Sequence, residues 1–129
     1  MTPEIETAVE QIRQTFAGCE LTTRDDGEGG AFIIVEGVSP GSTFRQETTW
    51  VGFHLTFQYP FSDVYPVFVR GDLSRTDGRS IAGPGIQTGY TFEGRPAVQL
   101  SRRSNHLNPA TDTAALKMLK VIKWLGEQP

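Results

Sequence analysis

Five side chains able to take part in group transfer stand close together near the end of the chain. They belong to the run Ser-Arg-Arg-Ser-Asn-His and are Ser101, Arg102, Arg103, Ser104 and His106. A serine hydroxyl acts as a nucleophile when a neighbouring base takes its proton, and His106 is the one imidazole nearby. The two arginines can hold a carboxylate or an acidic partner surface bidentately. A solvated surface turn is the simpler interpretation, and both stay open here.

The other reactive side chains favour structural roles. Cys19 follows a helix terminus and precedes a strand, which is typical of a small half-buried thiol. His54 falls on the strand face opposite the aliphatic residues, so we interpret it as a surface or packing histidine. A single cysteine excludes an internal disulfide and a multi-cysteine metal site. Nothing in the sequence predicts a metal, nucleotide or organic cofactor.

Composition and length indicate one soluble globular domain over residues 1–129. Hydrophobic residues make up 37% of the chain and charged residues 21%, and the length suffices to bury most of the unfolded surface. No apolar run approaches the roughly 18 residues that a membrane span requires. The N-terminus lacks a basic region followed by an apolar core, so we expect no secretory signal and a cytoplasmic location.

Charge is distributed unevenly along the chain. Residues 1–65 carry 3 Lys and Arg against 10 Asp and Glu, and residues 66–129 carry 9 against 5, so the halves sit at −7 and +4. Such asymmetry can steer a charged partner, or it can be scatter on a folded surface. The sequence has no long basic block and no glycine-rich phosphate loop. We therefore predict no nucleic-acid partner.

The first half of the chain predicts a helix followed by antiparallel strands. Thr2 caps a helix that has proline at its first position and acids in its first turn. Glycine at position 18 is a plausible end. Four strands are predicted, separated by turns rich in glycine and proline. They cover about 20–24, 31–38, 48–58 and 66–70, and the third has the clearest alternation, with Val51, Phe53, Leu55 and Phe57 on one face.

The second half predicts a long loop and a closing helix. Residues 71–95 are rich in Gly, Ser, Thr and Asp with little periodicity, so we expect a functional or partly disordered loop. A helix is predicted to start at Pro109–Asp112. Its lysines at 117, 120 and 123 are expected mainly on the solvent side. Its predicted buried stripe is Ala115, Met118, Leu119, Ile122 and Leu125. The fold class is therefore α+β, with the helices on one sheet face.

Two segments resemble the ubiquitin-conjugating enzyme superfamily. The run Tyr-Pro-Phe-Ser-Asp-Val-Tyr-Pro over residues 59–66 resembles the tyrosine–proline signature after the third strand of that fold. The run Gln-Leu-Ser-Arg-Arg over 99–103, through Asn-Pro-Ala-Thr-Asp to Trp124, resembles a bacterial branch called family E. That branch carries a Ser-Arg-His triplet, and here Arg103 stands at the histidine position with His106 three residues on. The resemblance covers most of the chain, with residues 71–95 aligning poorly.

The resemblance implies an N-terminal helix, a four-stranded meander, a long loop and a C-terminal helix. It also implies relay of a ubiquitin-like modifier from an activating enzyme, and these two would be the partners. Gln99 stands where the family places its thioester-forming cysteine, and an amide is no nucleophile. This departure puts catalysis itself in question, and an active form would use a serine oxyester, with Ser101 as the better candidate than Ser104 because of the Ser-Arg pair. His106 would be its base, and Arg102 and Arg103 would bind.

A second hypothesis is a binding module of the same fold without catalysis, which would hold a modifier or a partner enzyme. The first helix supports a departure from the family pattern, because members dock their activating enzyme through a basic first helix. Here that helix carries Glu4, Glu6 and Glu10 with Arg13 as its one basic residue. A third hypothesis is an unrelated small α+β protein whose tyrosine–proline turn is coincidental.

Overall fold

Two helices and a six-stranded antiparallel sheet make up the computed structural model, which describes all of residues 1–129. The α+β class is confirmed, but the predicted count of four strands is wrong. The strands lie in the order β1-β2-β3-β4-β6-β5. Along the chain the elements are α1 (Pro3–Thr15), β1 (Leu21–Asp25), β2 (Ala31–Val38), β3 (Thr49–Leu55), β4 (Val67–Arg70), β5 (Ile86–Phe92), β6 (Arg95–Leu100) and α2 (Ala114–Gly126).

The two additional strands form a hairpin within and after the predicted loop. β5 and β6 are joined by Glu93 and Gly94, whose φ values are 50° and 76°. Two residues with positive φ match the twist of a tight hairpin. Most of β5 is exposed on both faces, so it lacks the alternation by which strands are found in sequence. Residues 71–85 are the part of the predicted loop that stays irregular.

The first helix follows the prediction closely. The Thr2 hydroxyl accepts a hydrogen bond from the backbone N–H of Ile5 at 3.2 Å, which caps the first turn. Its apolar face is buried against the sheet through Ile5, Ala8, Val9 and Ile12. The helix ends at Thr15, three residues before Gly18, which has a φ of 89°.

The second helix begins later than predicted, and the face that it buries differs from the predicted one. It starts at Ala114 after the cap Thr113, whose hydroxyl accepts from Leu116 N at 3.2 Å. Lys117 is buried and Leu119 is 44% exposed, so both predictions for their placement are wrong. The helix itself carries apolar side chains on several of its sides, so the apolar pattern of its sequence does not define a single buried face. The buried stripe is Ala114, Ala115, Lys117, Met118, Val121 and Leu125.

The third strand ends at Leu55, three residues before its predicted end, and Phe57 is 59% exposed. The tyrosine–proline turn follows, and its prolines have no N–H to donate to the hydrogen-bond ladder of the sheet. Both Tyr59-Pro60 and Tyr65-Pro66 are cis peptide bonds. This turn brings Asp63 back toward the second helix.

Apolar residues pack on both faces of the sheet. The main core lies between the helices and the inner face, and it includes Val51, Phe53 and Leu55 as the alternation predicts. A second, aromatic cluster lies on the outer face and includes Trp50 and Phe92. Phe92 comes from the tip of the β5–β6 hairpin, which therefore folds back across the outer face.

Ion pairs hold the hairpin tip in that position. Arg24 of β1 donates to both carboxylate oxygens of Glu93, at 2.8 and 2.7 Å. Arg95 pairs with Glu36 of β2 and also lies over the Trp50 ring, 5.6 Å from its centroid. The tip is thus joined to β1 and β2, which are distant from β5 in the order of the sheet.

Candidate functional site

The run that holds the sequence-predicted site residues forms most of the irregular connection between β6 and α2. β6 ends at Leu100, and the connection covers residues 101–113. It contacts the turn before β4 on one side and the second helix on the other, through the side chains of Asp63 and Lys117. Three separate parts of the chain therefore meet at this point.

Ser101 lies among glutamine side chains. Its hydroxyl donates to Gln87 Oε1 at 2.8 Å and accepts from Gln99 Nε2 at 3.3 Å. Gln99 Nε2 also lies 3.4 Å from Gln87 Oε1. No hydrogen bond joins Ser101 to His106. Gln99 thus belongs to a network of neutral polar groups, with no base in it.

Ser104 lies between a carboxylate and an ammonium group. Its backbone N–H donates to Asp63 Oδ2 at 2.6 Å, and its hydroxyl donates to Asp63 Oδ1 at 2.8 Å. Lys117 Nζ donates to the same hydroxyl at 2.9 Å. Sequence reasoning considered Ser104 but missed both partners, because Asp63 is 41 positions away and Lys117 was expected on the solvent side.

Lys117 is held almost entirely within the protein. Its side chain is 8% exposed, and Nζ donates to the Arg102 carbonyl at 2.6 Å as well as to Ser104. It also lies 3.2 and 3.3 Å from the two oxygens of Asp63. Burial lowers the pKa of the Lys117 ammonium below its ordinary value, and the nearby Asp63 carboxylate opposes that effect only in part.

For Asp63, hydrogen bonds and the nearby charge outweigh the effect of burial on the pKa. Burial raises the pKa of its carboxyl, but the two hydrogen bonds from Ser104 and the charge of Lys117 more than compensate, so the net pKa lies below the ordinary value. At neutral pH the cluster therefore contains a carboxylate. Its serine hydroxyl is polarised from both sides, with its proton directed at Asp63 and its oxygen facing Lys117.

A cleft of about 420 Å³ lies over this cluster. Its basic walls are Arg102, Arg103 and Lys120, with His106 at the exposed edge. Arg102 lies 5.3 Å from the centroid of the Trp124 ring, and Arg103 lies 4.0 Å from that of Tyr65. These cation–π contacts fix both guanidinium groups beside the cleft. Asp112 is the acidic residue that lines it.

No protein-family model, curated protein or solved structure matches this chain significantly. Neither helix is long and apolar enough to cross a membrane. No three His, Cys, Asp or Glu side chains lie close enough together to hold a metal ion.

The two remaining reactive side chains lie in other surroundings. The Cys19 thiol is partly buried and lies 3.5 Å from the Gly37 carbonyl oxygen. His54 Nε2 lies 2.7 Å from Asp26 Oδ2, and its ring stacks on Phe32 at 4.2 Å between centroids. The hydrogen bond from His54 is the main reason that the pKa of Asp26 is lowered. Both residues thus have local structural partners.

Proposed function

We propose that this protein is a ubiquitin-conjugating-enzyme-like relay that carries a ubiquitin-like modifier as an oxyester on Ser104. The observation that carries the proposal is the position of the Ser104 hydroxyl, which lies 2.8 Å from Asp63 Oδ1 and 2.9 Å from Lys117 Nζ. A hydroxyl needs a proton acceptor and charge stabilisation to attack a carbonyl. Both are present here within hydrogen-bonding distance.

The chemical step is an acyl transfer. Ser104 Oγ attacks the carbonyl carbon of the modifier's C-terminus, which an activating enzyme delivers as a thioester or an acyl adenylate. The hydroxyl proton passes to Asp63, and the Lys117 ammonium stabilises the developing negative charge on Oγ. The C–O ester bond forms as the bond to the thiolate or AMP breaks, and that leaving group departs with its electron pair. A later amine acceptor releases the modifier and restores the hydroxyl.

Ser104 suits this role better than Ser101. The hydroxyl of Ser101 has only the amide groups of Gln87 and Gln99 as partners, and a neutral amide is neither a base nor a charged stabiliser. Ser104 has the carboxylate and the ammonium described above. We keep His106 as an exposed residue of the cleft and assign the proton acceptor to Asp63.

Arg102 and Arg103 would bind the incoming end of the modifier. Their guanidinium groups border the cleft above Ser104 and are fixed by contacts with Trp124 and Tyr65. Paired N–H donors of arginine match a carboxylate or a polarised carbonyl group. An arginine pair at this point supports recognition of an acyl group or an acidic chain terminus.

The fold is compatible with the proposal. An N-terminal helix, an antiparallel meander of β1 to β4 and a closing helix follow in the order that the resemblance implies. The β5–β6 hairpin is an addition to that order. The serine-bearing connection directly follows β6 and contacts the tyrosine–proline turn through Asp63.

The test is formation of a covalent adduct with the cognate modifier, its activating enzyme and ATP. We expect an adduct that hydroxylamine cleaves and that thiols leave intact, together with its loss in Ser104→Ala. Ser101→Ala and Cys19→Ser are the matched controls and should retain it. An adduct that persists in Ser104→Ala, or that Cys19→Ser abolishes, would refute the assignment.

A binding module without catalysis is the second candidate, and one observation favours it. The Lys117 ammonium has three kinds of partner, namely Asp63, Ser104 and the Arg102 carbonyl. A cluster so fully paired also serves to fasten the connection to the second helix. If no adduct forms while the modifier binds reversibly with the same affinity to wild type and Ser104→Ala, this function replaces the relay.

A further inference from the structure

Ser104 borders a second cavity besides the open cleft. This small chamber has a volume of about 20 Å³, and Asp63, Ser104 and Lys117 all line it. Ser104 and Lys117 also line the cleft of about 420 Å³, so the two residues form a wall that both cavities share. An acyl group carried on Ser104 Oγ therefore lies at the boundary between the cleft and the chamber.

The chamber has the size and the lining of a site for one water molecule. A buried water requires a cavity of roughly 10–15 Å³ or more and about two to four polar partners. The polar residues that line the chamber include Tyr59, Ser62 and Thr113 as well as the three residues of the cluster. A lysine side chain or a peptide terminus is too large for it. The chamber therefore admits water and excludes larger nucleophiles.

The Tyr59 hydroxyl offers a hydrogen-bond donor to such a water. Its oxygen accepts a hydrogen bond from Ala114 N at 3.0 Å, and its own proton has no acceptor within the protein. Tyr59 is 7% exposed, so bulk solvent has little access to this hydroxyl. Buried polar groups are generally paired with protein or with an ordered water. A buried phenolic proton without a protein acceptor, on a residue that lines a water-sized chamber, indicates a hydrated site.

Acylation of Ser104 changes the hydrogen bonding of Asp63. In the free protein the two carboxylate oxygens accept from Ser104 N, from Ser104 Oγ and from Lys117 Nζ, which lies within 3.3 Å of both. These contacts fill the acceptor capacity of the carboxylate. An ester at Ser104 has no hydroxyl proton, so Asp63 Oδ1 then loses one donor. A water in the chamber can take that place and pass its proton to Asp63.

We propose that a water molecule held in this chamber hydrolyses the acyl form of Ser104, so that the protein also acts as a serine ester hydrolase. This inference depends on the proposed function for the acylation step and adds a second fate for the adduct. An amine that arrives through the cleft receives the acyl group. When no amine arrives, the water in the chamber removes it.

The chemical step is hydrolysis of an ester. Asp63 first gives up the proton that it took during acylation, to the departing thiolate or to solvent. The water oxygen then attacks the ester carbonyl carbon while a proton of the water passes to Asp63. The bond between that carbon and Ser104 Oγ breaks, and the Lys117 ammonium stabilises the negative charge on Oγ. Oγ takes the proton back from Asp63, and the acyl group leaves as a free carboxylic acid.

The test uses the full-length protein and p-nitrophenyl acetate, a small activated ester that requires no modifier. We expect acetylation of Ser104, detected by mass spectrometry, and continued turnover, both of which Ser104→Ala abolishes. Acetyl-Ser104 should be lost at least about tenfold faster in the folded protein than in urea, which disperses the cluster. Acetyl-Ser104 that decays equally slowly in both overturns the hydrolysis and leaves the relay intact. Absence of any acyl-Ser104, from this ester and from the activated modifier alike, overturns both.

A substitution in the chamber wall distinguishes water in the chamber from water that enters through the cleft. Val64 is buried and lines the chamber, so Val64→Ile, which adds a methylene there, should slow hydrolysis of acetyl-Ser104 about tenfold. Added hydroxylamine enters through the cleft and should still remove the acetyl group at the wild-type rate, which also shows that the cluster is folded. Val9→Ile makes the same change on the buried face of the first helix and should alter neither rate. Unchanged hydrolysis in Val64→Ile, or equal slowing of both reactions, would refute the chamber as the source of the water.

Discussion

Ser104 Oγ and Lys117 Nζ lie 2.9 Å apart, and the two residues belong to different elements, the connection after β6 and the second helix. The contact forms because Asp63 binds both groups. A lysine on this face of the helix would otherwise be a buried, unpaired charge, which is strongly unfavourable. The carboxylate therefore makes the burial of Lys117 possible and at the same time orients the serine.

Removal of the ammonium should destabilise the protein. We expect Lys117→Met to lower the free energy of unfolding by about 2–4 kcal/mol, because it leaves the Asp63 carboxylate partly buried without its counter-ion. Urea denaturation at neutral pH measures this change. Lys120→Met is the matched control. Its side chain is 69% exposed and 3.8 Å from Asp112, so a change within about 0.5 kcal/mol is expected.

The pH dependence of the unfolding free energy should reveal how much the Asp63 carboxylate stabilises the protein. Its folded pKa lies below its ordinary value, so its stabilising effect is present above about pH 4 and is lost as pH falls through the folded pKa. The difference in unfolding free energy between wild type and Asp63→Asn should therefore shrink at low pH. Asp72→Asn is the control, because Asp72 also pairs with a basic side chain, Arg70, but is 69% exposed. Salt at about 0.5 M should remove the destabilisation caused by Asp72→Asn and leave most of the destabilisation caused by Asp63→Asn.

The pH dependence of the adduct should separate two roles for Lys117. If its ammonium stabilises Ser104 while Asp63 takes the proton, the rate of adduct formation falls as pH rises through the Lys117 pKa. That pKa lies below the ordinary lysine value. A rate that rises over the same range would instead make neutral Lys117 the base. Single-turnover measurements from pH 6 upward distinguish the two outcomes.

Sequence patterns predict most of the fold where they are strong. The first helix and the alternation of Val51, Phe53 and Leu55 are clear, because one buried face imposes a period on the residues. The β5–β6 hairpin lacks that signal, since exposed β5 residues have no apolar period and Gly89 interrupts the strand. The Glu93-Gly94 pair, which forms its turn, is the sequence feature that indicates a hairpin.

The candidate site was predicted only in part. The sequence singled out the connection that contains the Asp63–Ser104–Lys117 cluster and considered Ser104, but it favoured Ser101 because of the Ser-Arg pair. Spacing along the chain cannot show that Asp63 reaches Ser104 from the turn before β4. The burial of Lys117 depends on that same distant carboxylate, so helix periodicity alone assigned it to the solvent side.

Two glycines should respond oppositely to alanine. A Cβ at Gly52 would lie 2.6 Å from Phe92 Cε2, so Gly52→Ala should push the hairpin tip off the outer face and destabilise by about 1–3 kcal/mol. A Cβ at Gly126 would meet its nearest atom at 3.7 Å within the second helix. Gly126→Ala should stabilise by about 0.5–1 kcal/mol through helix propensity. Thermal unfolding measures both. Equal and small effects would show that the hairpin tip moves freely.

Tyr59 should stabilise the start of the second helix through a single hydrogen bond. Its hydroxyl accepts from the backbone N–H of Ala114 at 3.0 Å, and both residues are buried. Tyr59→Phe keeps the ring but leaves that N–H without a partner, which should lower the unfolding free energy by about 1–3 kcal/mol. Tyr65→Phe is the matched control, because the Tyr65 hydroxyl makes no hydrogen bond within the protein and its ring still faces Arg103.

Tyr59→Phe should also affect Ser104, through the start of the second helix. Because Ala114 lies three residues before Lys117, loosening the first helical turn should also weaken the hold of Lys117 on Ser104. Amide hydrogen exchange should therefore speed up at Ala114 and at Ser104 in Tyr59→Phe, and at neither in Tyr65→Phe. Faster exchange at Ala114 alone would mean that Asp63 holds Ser104 in place without help from the helix start.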